Sequence, residues 1–391
     1  MSKDLMDFST TEDEKMILEM AREVCRNEII PRRKEMDAKE IFPHDVFDKF
    51  REAGLFSILY EAEYGGLGSG TFVSALIAEV ISEYCLGVGT AYLASKLGAL
   101  PIEIGGTPEQ KMKYIPGLAA GEKLGAFGLT EPDAGSDVPA MGTTAVKKGD
   151  RYILNGTKQW ISNAGQADIY TIFAETDAAK GSRGFSCFIL EKGMKGLSFG
   201  KLEDKLGIRA SHTAQVIMED VEVPAENLVG LHEGKGFIHA IKTLNASRPV
   251  VAGMAVGVSR GAYNEALKYT RERVQFGKSV INFQVVQHML VDMLVKLETG
   301  QLLEYRAARA LDLGHSDTAK YSALAKYYCS EMAVSITNDA LQLHGGYGYV
   351  KDYPIEKMYR DAKILTIYEG TSQIQKNEIG TYIIKEANKM K

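Results

Sequence analysis

The sequence has 391 residues, 45% of them hydrophobic, and a formal net charge of −5. Such a length suggests about two or three domains of ordinary globular composition. The charge leaves no electrostatic footprint for nucleic acid, and no apolar run reaches the length of a membrane helix, so neither is an expected partner.

The opening residues, Met-Ser-Lys-Asp-Leu-Met-Asp-Phe, carry neither a signal-peptide core nor an Arg/Ser-rich transit pattern. The cysteines Cys25, Cys85, Cys187 and Cys329 are scattered and form no C-x-x-C pair, which speaks against a disulfide framework. The expected setting is a bacterial cytoplasm, or a mitochondrial matrix once a transit peptide has been removed. No H-E-x-x-H occurs, and no metal site is expected.

The first third reads as helices. Thr11 and Glu14 have capping-box spacing ahead of an amphipathic run to Ile30, which Pro31 stops. A second helix is predicted from about His44 to Phe56. After the Gly-rich turn Tyr64 to Gly70, apolar helices follow from about Thr71 to Cys85 and from about Gly89. Thr107-Pro108-Glu109-Gln110 opens another, with Pro at the first position and Gln closing the cap.

From about Leu124 to Val229 the period becomes that of short strands. Thr143–Val146 and Tyr152–Leu154 flank Lys147-Lys148-Gly149-Asp150 as a hairpin. Ile169–Ala174, Gly184–Leu190 and Ala214–Val223 read as further strands, which suggests a small barrel or sandwich. Helical periodicity returns at Gly236, in long segments of roughly 236–275, 283–313 and 318–344 that argue for an antiparallel bundle. Pro249 should kink the first. Gly253, Gly257 and Gly261 give that helix a smooth face for close packing. The expected layout is an N-terminal helical domain (1–122), a middle β domain (123–232) and a C-terminal helical bundle (233–391).

Several stretches carry candidate chemistry. Gly257-Val258-Ser259-Arg260-Gly261 matches the nucleophile elbow G-x-S-x-G but lies inside a helical run, where that motif does not work. No strict G-x-G-x-x-G or P-loop appears. Leu129 to Asp137 is a polar turn that fits either a ligand loop or a plain surface turn. Lys158-Gln159-Trp160-Ile161-Ser162-Asn163 holds the only Trp, suited to stack on a planar ring or to fill a barrel end. Arg273 to Lys278 offers an Arg fork for phosphate, or a solvated helix end.

Near the C-terminus, Ile364 to Gln375 reads I-L-T-I-Y-E-G-T-S-Q-I-Q. A helix from Pro354 to about Tyr368 is expected to stop at Gly370, and Ser372 with Gln375 has capping-box spacing for the next. Glu369 is thereby placed at a helix–helix junction among apolar neighbours. A helix end and a dry site would both raise its pKa and suit it to act as a general base. A solvated Glu at a helix end is the other reading.

Together, L-T-E-P-D-A-G-S-D, K-Q-W-I-S-N, R-x-Q-F-G, H-G-G-Y-G-Y and I-Y-E-G-T-S-Q-I-Q resemble, in order and spacing, the signatures of the acyl-CoA dehydrogenase family. The likeness runs from about Phe8 to Ile384, and Ser247 to Gly257 resembles the medium-chain type in particular. The resemblance implies a helical domain, a middle β domain and a C-terminal four-helix bundle. It implies FAD as cofactor, α,β-dehydrogenation of an acyl-CoA, electron-transfer flavoprotein as electron acceptor, and a homotetramer built as a dimer of dimers. An acyl-CoA oxidase, an enoyl-CoA reductase and a non-catalytic scaffold are the rival expectations.

The roles that the resemblance implies fall on matching residues. Glu369 would remove the α-proton, and its peptide N–H would hold the thioester oxygen. Phe127, Leu129 and Thr130 would line the flavin, and Trp160 and Ser162 would pack on it and bond to it. Arg273, Gln275, Phe276, Gln342, Gly345 and Gly346 would hold FAD across a subunit interface, with Thr371 and Gln373 following the base. Ser136 would lie near phosphate and the CoA arm. Asn245, Arg248, Tyr368 and Gly370 would lie by the substrate. No Glu occurs near Ser247-Arg248, where some relatives carry the base, and Ser162 stands where Thr is usual. The pocket helix, about Gly89 to Leu100, leaves acyl length open. Tyr92 and Lys96 would shape or charge that pocket, or face solvent.

Overall fold

The computed structural model describes residues 3–390. Among the described residues the N-terminal part holds the α-helices α1 (Glu12–Glu28), α2 (Arg33–Lys39), α3 (His44–Glu52), α4 (Gly70–Tyr84), α5 (Leu86–Gly105) and α6 (Pro108–Ala119). Reciprocal capping boxes open α1 at Thr11/Glu14 and α6 at Thr107/Gln110, as the spacing predicts. The helix from His44 ends at Glu52, earlier than expected, and α5 begins three residues before the expected Gly89.

The middle part is one mixed sheet of β1 (Gly125–Gly128), β2 (Thr144–Lys148), β3 (Arg151–Ser162), β4 (Ile169–Glu175), β5 (Phe185–Glu191), β6 (Leu197–Phe199) and β7 (Thr213–Pro224). The order is β1-β4-β2-β3-β7-β6, with β5 on the other side of β4. The expected hairpin is present as β2 and β3. The sheet curls around its own apolar core, which includes Tyr152, Leu154, Tyr170, Phe188 and Val216. Its β1–β4 edge packs on α5: Ser95 Oγ accepts from Gly125 N–H at 2.9 Å, and Thr171 Oγ1 donates to the Gly98 carbonyl at 3.0 Å.

The C-terminal part is helical: α7 (Gly236–Glu272), α8 (Gln284–Asp312), α9 (Thr318–His344), α10 (Ile355–Ala362) and α11 (Ser372–Lys389), with a two-stranded ribbon of β8 (Val274–Gln275) and β9 (Lys278–Ser279) between α7 and α8. The α7 helix continues through Pro249. Its smooth glycine face lies on α4. A Cβ on Gly253, Gly257 or Gly261 would meet the carbonyl oxygens of Ala75, Glu79 and Glu83 at 2.6, 2.2 and 2.4 Å. Those contacts fix how closely α7 approaches the N-terminal domain, and so where one wall of the site stands.

A polar network ties the three parts together. Arg360 on α10 donates to Asp37 in α2 at 2.7 Å and to the Leu206 carbonyl at 2.9 Å. Among the described residues, no helix is long and apolar enough to cross a membrane.

Candidate active site

The segment holding Glu369 departs from the predicted long helix. The α10 helix stops at Ala362, a 3₁₀ turn covers Lys363–Thr366, and then Glu369 and Gly370 both adopt left-handed backbone, with φ of 56° and 91°. The next helix is capped one residue earlier than its spacing suggests. Thr371, not Ser372, accepts from Ile374 N–H. Gln375 therefore does not close a capping box; its Nε2 reaches back to the carbonyls of Glu369 and Gly370, each at 3.2 Å.

This short left-handed link aims the Glu369 side chain into a cavity of about 590 Å³ between α5 and α7. Thr90, Ala94, Val251, Met254, Ser247 and Tyr368 surround the inner part, and Ser162 reaches it from β3. Exposed Gly68 and Asp312, with half-buried Ser69, mark the surface end. Glu369 is half-buried, and it lines this cavity. Burial raises its pKa above the ordinary carboxylate value, while the Ser247 hydroxyl, Arg248 and Lys326 pull it back down. Ser247 Oγ donates to Glu369 Oε2 at 2.6 Å.

Other acidic groups lining the cavity are committed or lie at its mouth. Glu103 takes both oxygens to Lys96 Nζ at 2.6 Å. Asp312 accepts from Thr71 and Phe72 N–H, at 2.6 and 3.0 Å. Glu61 is exposed. Glu369 is the inner carboxylate without an ion pair among the described residues, which suits it to accept a proton.

Lys96 thus lines the cavity as half of an ion pair. Tyr92 does neither thing expected of it: it is fully buried and its hydroxyl donates to the Leu55 carbonyl at 2.5 Å.

The W-I-S-N stretch sits at a β-bulge, where the β3–β7 register slips between Lys158 and Ile161. The slip forces Trp160 to a φ of 60° and turns its ring outward, 60% exposed. It therefore fills no barrel end. Asn163 anchors the bulge by donating to the Ala91 carbonyl at 2.9 Å. On the neighbouring loop, Glu131 is no free ligand group. It accepts from Lys158 Nζ at 2.6 Å and from Gly142 and Thr143 N–H, at 2.6 and 3.0 Å. That clamp orders Leu129 to Asp137 and leaves Thr130 half-buried and Ser136 exposed. Phe127 packs against Phe173.

Two groups of predicted residues are brought together, while Phe127, Leu129, Thr130, Ser136 and Trp160 line neither cavity. Glu369, Ser162 and Tyr368 share the cavity, with Arg248 and Gly370 directly behind the base and Asn245 bonded to Arg248 at 2.8 Å. Arg273, Gln275, Phe276, Gln342, Gly345 and Gly346 line a separate open hollow of about 950 Å³ at the other end of α7. Thr371 and Gln373 stand at the start of α11.

The β3 bulge and the hollow each offer a surface that suits a flavin nucleotide. Trp160 presents an exposed aromatic ring two residues before Ser162 on the same strand. In the hollow, Phe276 is 94% exposed, Arg273 has no ion pair among the described residues, and Gly345 and Gly346 have open space where a side chain would stand. An unpaired guanidinium beside bare backbone is the donor set that a pyrophosphate takes.

The helix pattern finds α7 and α9 but overlooks Ser247, Lys326 and Gln375 as supports of the base. A signal for Lys326 was available, since it shares a helix face with Ala323, Ser330 and Ala333, all buried. The G-x-S-x-G serine is inert: Ser259 is buried within α7, and its Oγ donates to the Ala255 carbonyl at 2.6 Å.

Family models for the acyl-CoA dehydrogenase N-terminal, middle and C-terminal domains match residues 11–122, 126–221 and 234–384. The chain is 46% identical over 381 residues to the short-chain specific acyl-CoA dehydrogenase of Clostridium acetobutylicum, covering 97% of this chain and 100% of that protein. It is 44% identical over 382 residues to the acryloyl-CoA reductase (NADH) of Anaerotignum propionicum, covering 97% and 96%. A chain in the solved structure described as the electron transferring flavoprotein of Acidaminococcus fermentans superposes with a TM-score of 0.94 at 46% identity, covering 97% of this chain and 99% of that one.

Proposed function

The chain belongs to the acyl-CoA dehydrogenase family of FAD-dependent oxidoreductases acting on CH–CH bonds, and from that premise we propose that it converts an acyl-CoA thioester to the trans-2-enoyl-CoA with Glu369 as the α-proton base. The observation that carries this reading is the inner-cavity carboxylate of Glu369, free of an ion pair among the described residues, its pKa raised by burial and its oxygen held by Ser247.

In this reading the thioester enters from the Gly68–Asp312 end and places its α-carbon at Glu369. The carboxylate takes the proton, and its raised pKa makes it the stronger base for doing so. The peptide N–H of Glu369 donates to the thioester oxygen as negative charge develops there, which is electrostatic stabilisation of the oxyanion-hole kind. Tyr368, Thr90 and Met254 close the inner end and limit the acyl chain. Ser136, Asn245, Arg248 and Gly370 flank the bound thioester and its CoA arm.

Bound FAD supplies the acceptor for the β-hydride. Phe127, Leu129, Thr130, Trp160 and Ser162 would hold its ring. Thr371 and Gln373 would lie beside it. Arg273, Gln275, Phe276, Gln342, Gly345 and Gly346 would hold the nucleotide from a neighbouring subunit, which accounts for their distance from the cavity in one chain. This requires an oligomer, and we assign a homotetramer, a dimer of dimers. We assign electron-transfer flavoprotein as the electron partner, a reading supported by the likeness to the Acidaminococcus fermentans chain. The domains would divide near residues 122 and 232.

The likeness to an acryloyl-CoA reductase favours one second reading, the reverse reaction on an enoyl-CoA at the same site. A visible spectrum of the pure protein, followed by anaerobic titration with butyryl-, octanoyl- and branched acyl-CoA, tests the proposal. A yellow protein bleached by one of them supports dehydrogenation. A yellow protein bleached by none, but reoxidised after reduction by an enoyl-CoA, supports the reductase. Oxygen uptake during turnover would mark an oxidase, and a colourless protein that takes up no FAD would overturn the reading.

A further inference from the structure

Lys326 is fully buried on α9, and its Nζ donates to the Gly370 carbonyl at 2.6 Å. Among the described residues it has no ion-pair partner. Burying an ammonium without a paired carboxylate costs several kcal/mol, so its retention calls for something that it holds in place. The carbonyl it holds belongs to the left-handed link behind the base. Left-handed backbone at a non-glycine residue such as Glu369 is unfavourable unless its surroundings impose it. Gln375 Nε2, from α11, reaches both carbonyls of the link at 3.2 Å. Donors from two helices therefore pin the peptide oxygens on either side of the turn. With those oxygens tied, the Glu369 side chain has one exit, into the cavity, where Ser247 meets it.

We propose that Lys326 is a positioning residue for the base: its ammonium locks the Glu369–Gly370 turn and, as a nearby positive charge, favours the carboxylate form of Glu369. The proposal rests on the reading of Glu369 as the base. The polar and charged groups around the pair are Ser247 and Arg248 from α7, Glu331 from α9, Glu378 from α11 and the neighbouring Tyr368 hydroxyl. Arg248 shares its charge with Glu378, 2.6 Å away. Lys326 forms no ion pair among the described residues, and of the carboxylates near it Glu369 acts on it more strongly than Glu331. Burial holds Lys326 down at about 7, with Glu369 and Glu331 opposing the shift and Arg248 adding to it.

The test is Lys326→Met in the FAD-loaded protein, with kcat and KM for butyryl-CoA measured across pH beside flavin content and Tm. The expected result is a kcat lower by roughly 10–100-fold, as misplacing a catalytic group produces, with KM within a few-fold. The acid limb of kcat moves to higher pH, because loss of a positive charge raises the pKa of a carboxylate. Lys326→Arg should return the limb towards its original place. Lys326→Gln, which keeps a donor but no charge, carries the same limb test should the Met variant fail to fold. An unmoved limb overturns the proposal, whether kcat is unchanged or falls only in step with flavin content and Tm. Glu369→Gln separates the two claims: if it still turns over, the base reading fails, whereas if it is inactive and Lys326→Met behaves as wild type, only the positioning role fails.

Discussion

Ser247 donates its hydroxyl to Glu369 Oε2 at 2.6 Å, across 122 residues of sequence. The same hydroxyl lies 3.2 Å from the Leu244 carbonyl. It can therefore donate to the carboxylate, or accept from the carboxylic acid while donating to Leu244. One side chain thus serves the base before and after it takes a proton.

Removing the base should remove the chemistry alone. Glu369→Gln is expected to keep FAD and acyl-CoA binding while turnover falls roughly 10²–10⁴-fold, the usual contribution of a general base. Anaerobic bleaching of the flavin by butyryl-CoA reads this directly. Near-full dehydrogenation by the variant would discard the assignment.

Ser247→Ala should shift the pH profile. Burial holds the pKa of Glu369 above its ordinary 4.5, and the Ser247 hydrogen bond opposes that shift. A base works only when deprotonated, so activity rises as pH passes through the raised value. Losing the hydrogen bond moves this limb further up. The variant should lose roughly tenfold on that acid limb, in line with the strength of a hydrogen bond to a charged group, and recover much of that at pH values above it.

Glu131→Gln should destabilise the middle domain. Its carboxylate is the partner of Lys158, which is fully buried and held down at about 8 by desolvation. Breaking a buried pair from one side costs about 3–5 kcal/mol, and here it also leaves a single oxygen to accept from the Gly142 and Thr143 amides. The Lys158 contact and those amide bonds overcome burial and hold Glu131 below its ordinary 4.5. Its contribution is therefore present above that value and is lost as pH falls through the depressed folded pKa. In wild type, Tm should drop as pH is lowered below about 4.5, and the Gln variant should show a lower Tm with a shallower acid drop.

Gly257→Ala places a methyl 2.2 Å from the Glu79 carbonyl oxygen. Backbone cannot yield as a side-chain tip can. Overpacking of about 1–3 kcal/mol should exceed the roughly 1 kcal/mol that Ala gains over Gly in a helix. A lower Tm is expected; a raised one would mean that α4 and α7 have room to part.

Ser259→Ala should leave turnover unchanged, since that hydroxyl is spent inside α7. A loss of activity with Tm and flavin intact would revive the nucleophile elbow.

Much of this was legible in the chain. The helix–strand–helix division follows from changes of hydrophobic period, and both capping boxes follow from side chains three residues apart. Interactions of that range are local, so sequence contains them. The failures lie where local rules compete. The Pro354–Tyr368 run has helical periodicity, yet tertiary contacts break it at Ala362. Ser372 and Gln375 have the spacing of a box, yet Gln375 is drawn instead to the carbonyls of the strained turn. Trp160 reads equally as core or platform until the β3–β7 slip turns it outward.

The family likeness, the three-part layout and the candidate base can be read along the chain, because motifs and periodicity are written in consecutive residues. What surrounds that base follows from packing. Ser247, Lys326 and Gln375 come from three helices, and their hydrogen bonds exist only once packing brings donor and acceptor atoms of those helices within about 3 Å. The elevated pKa of Glu369 has the same origin: desolvation belongs to an enclosed cavity, which no stretch of the chain forms alone.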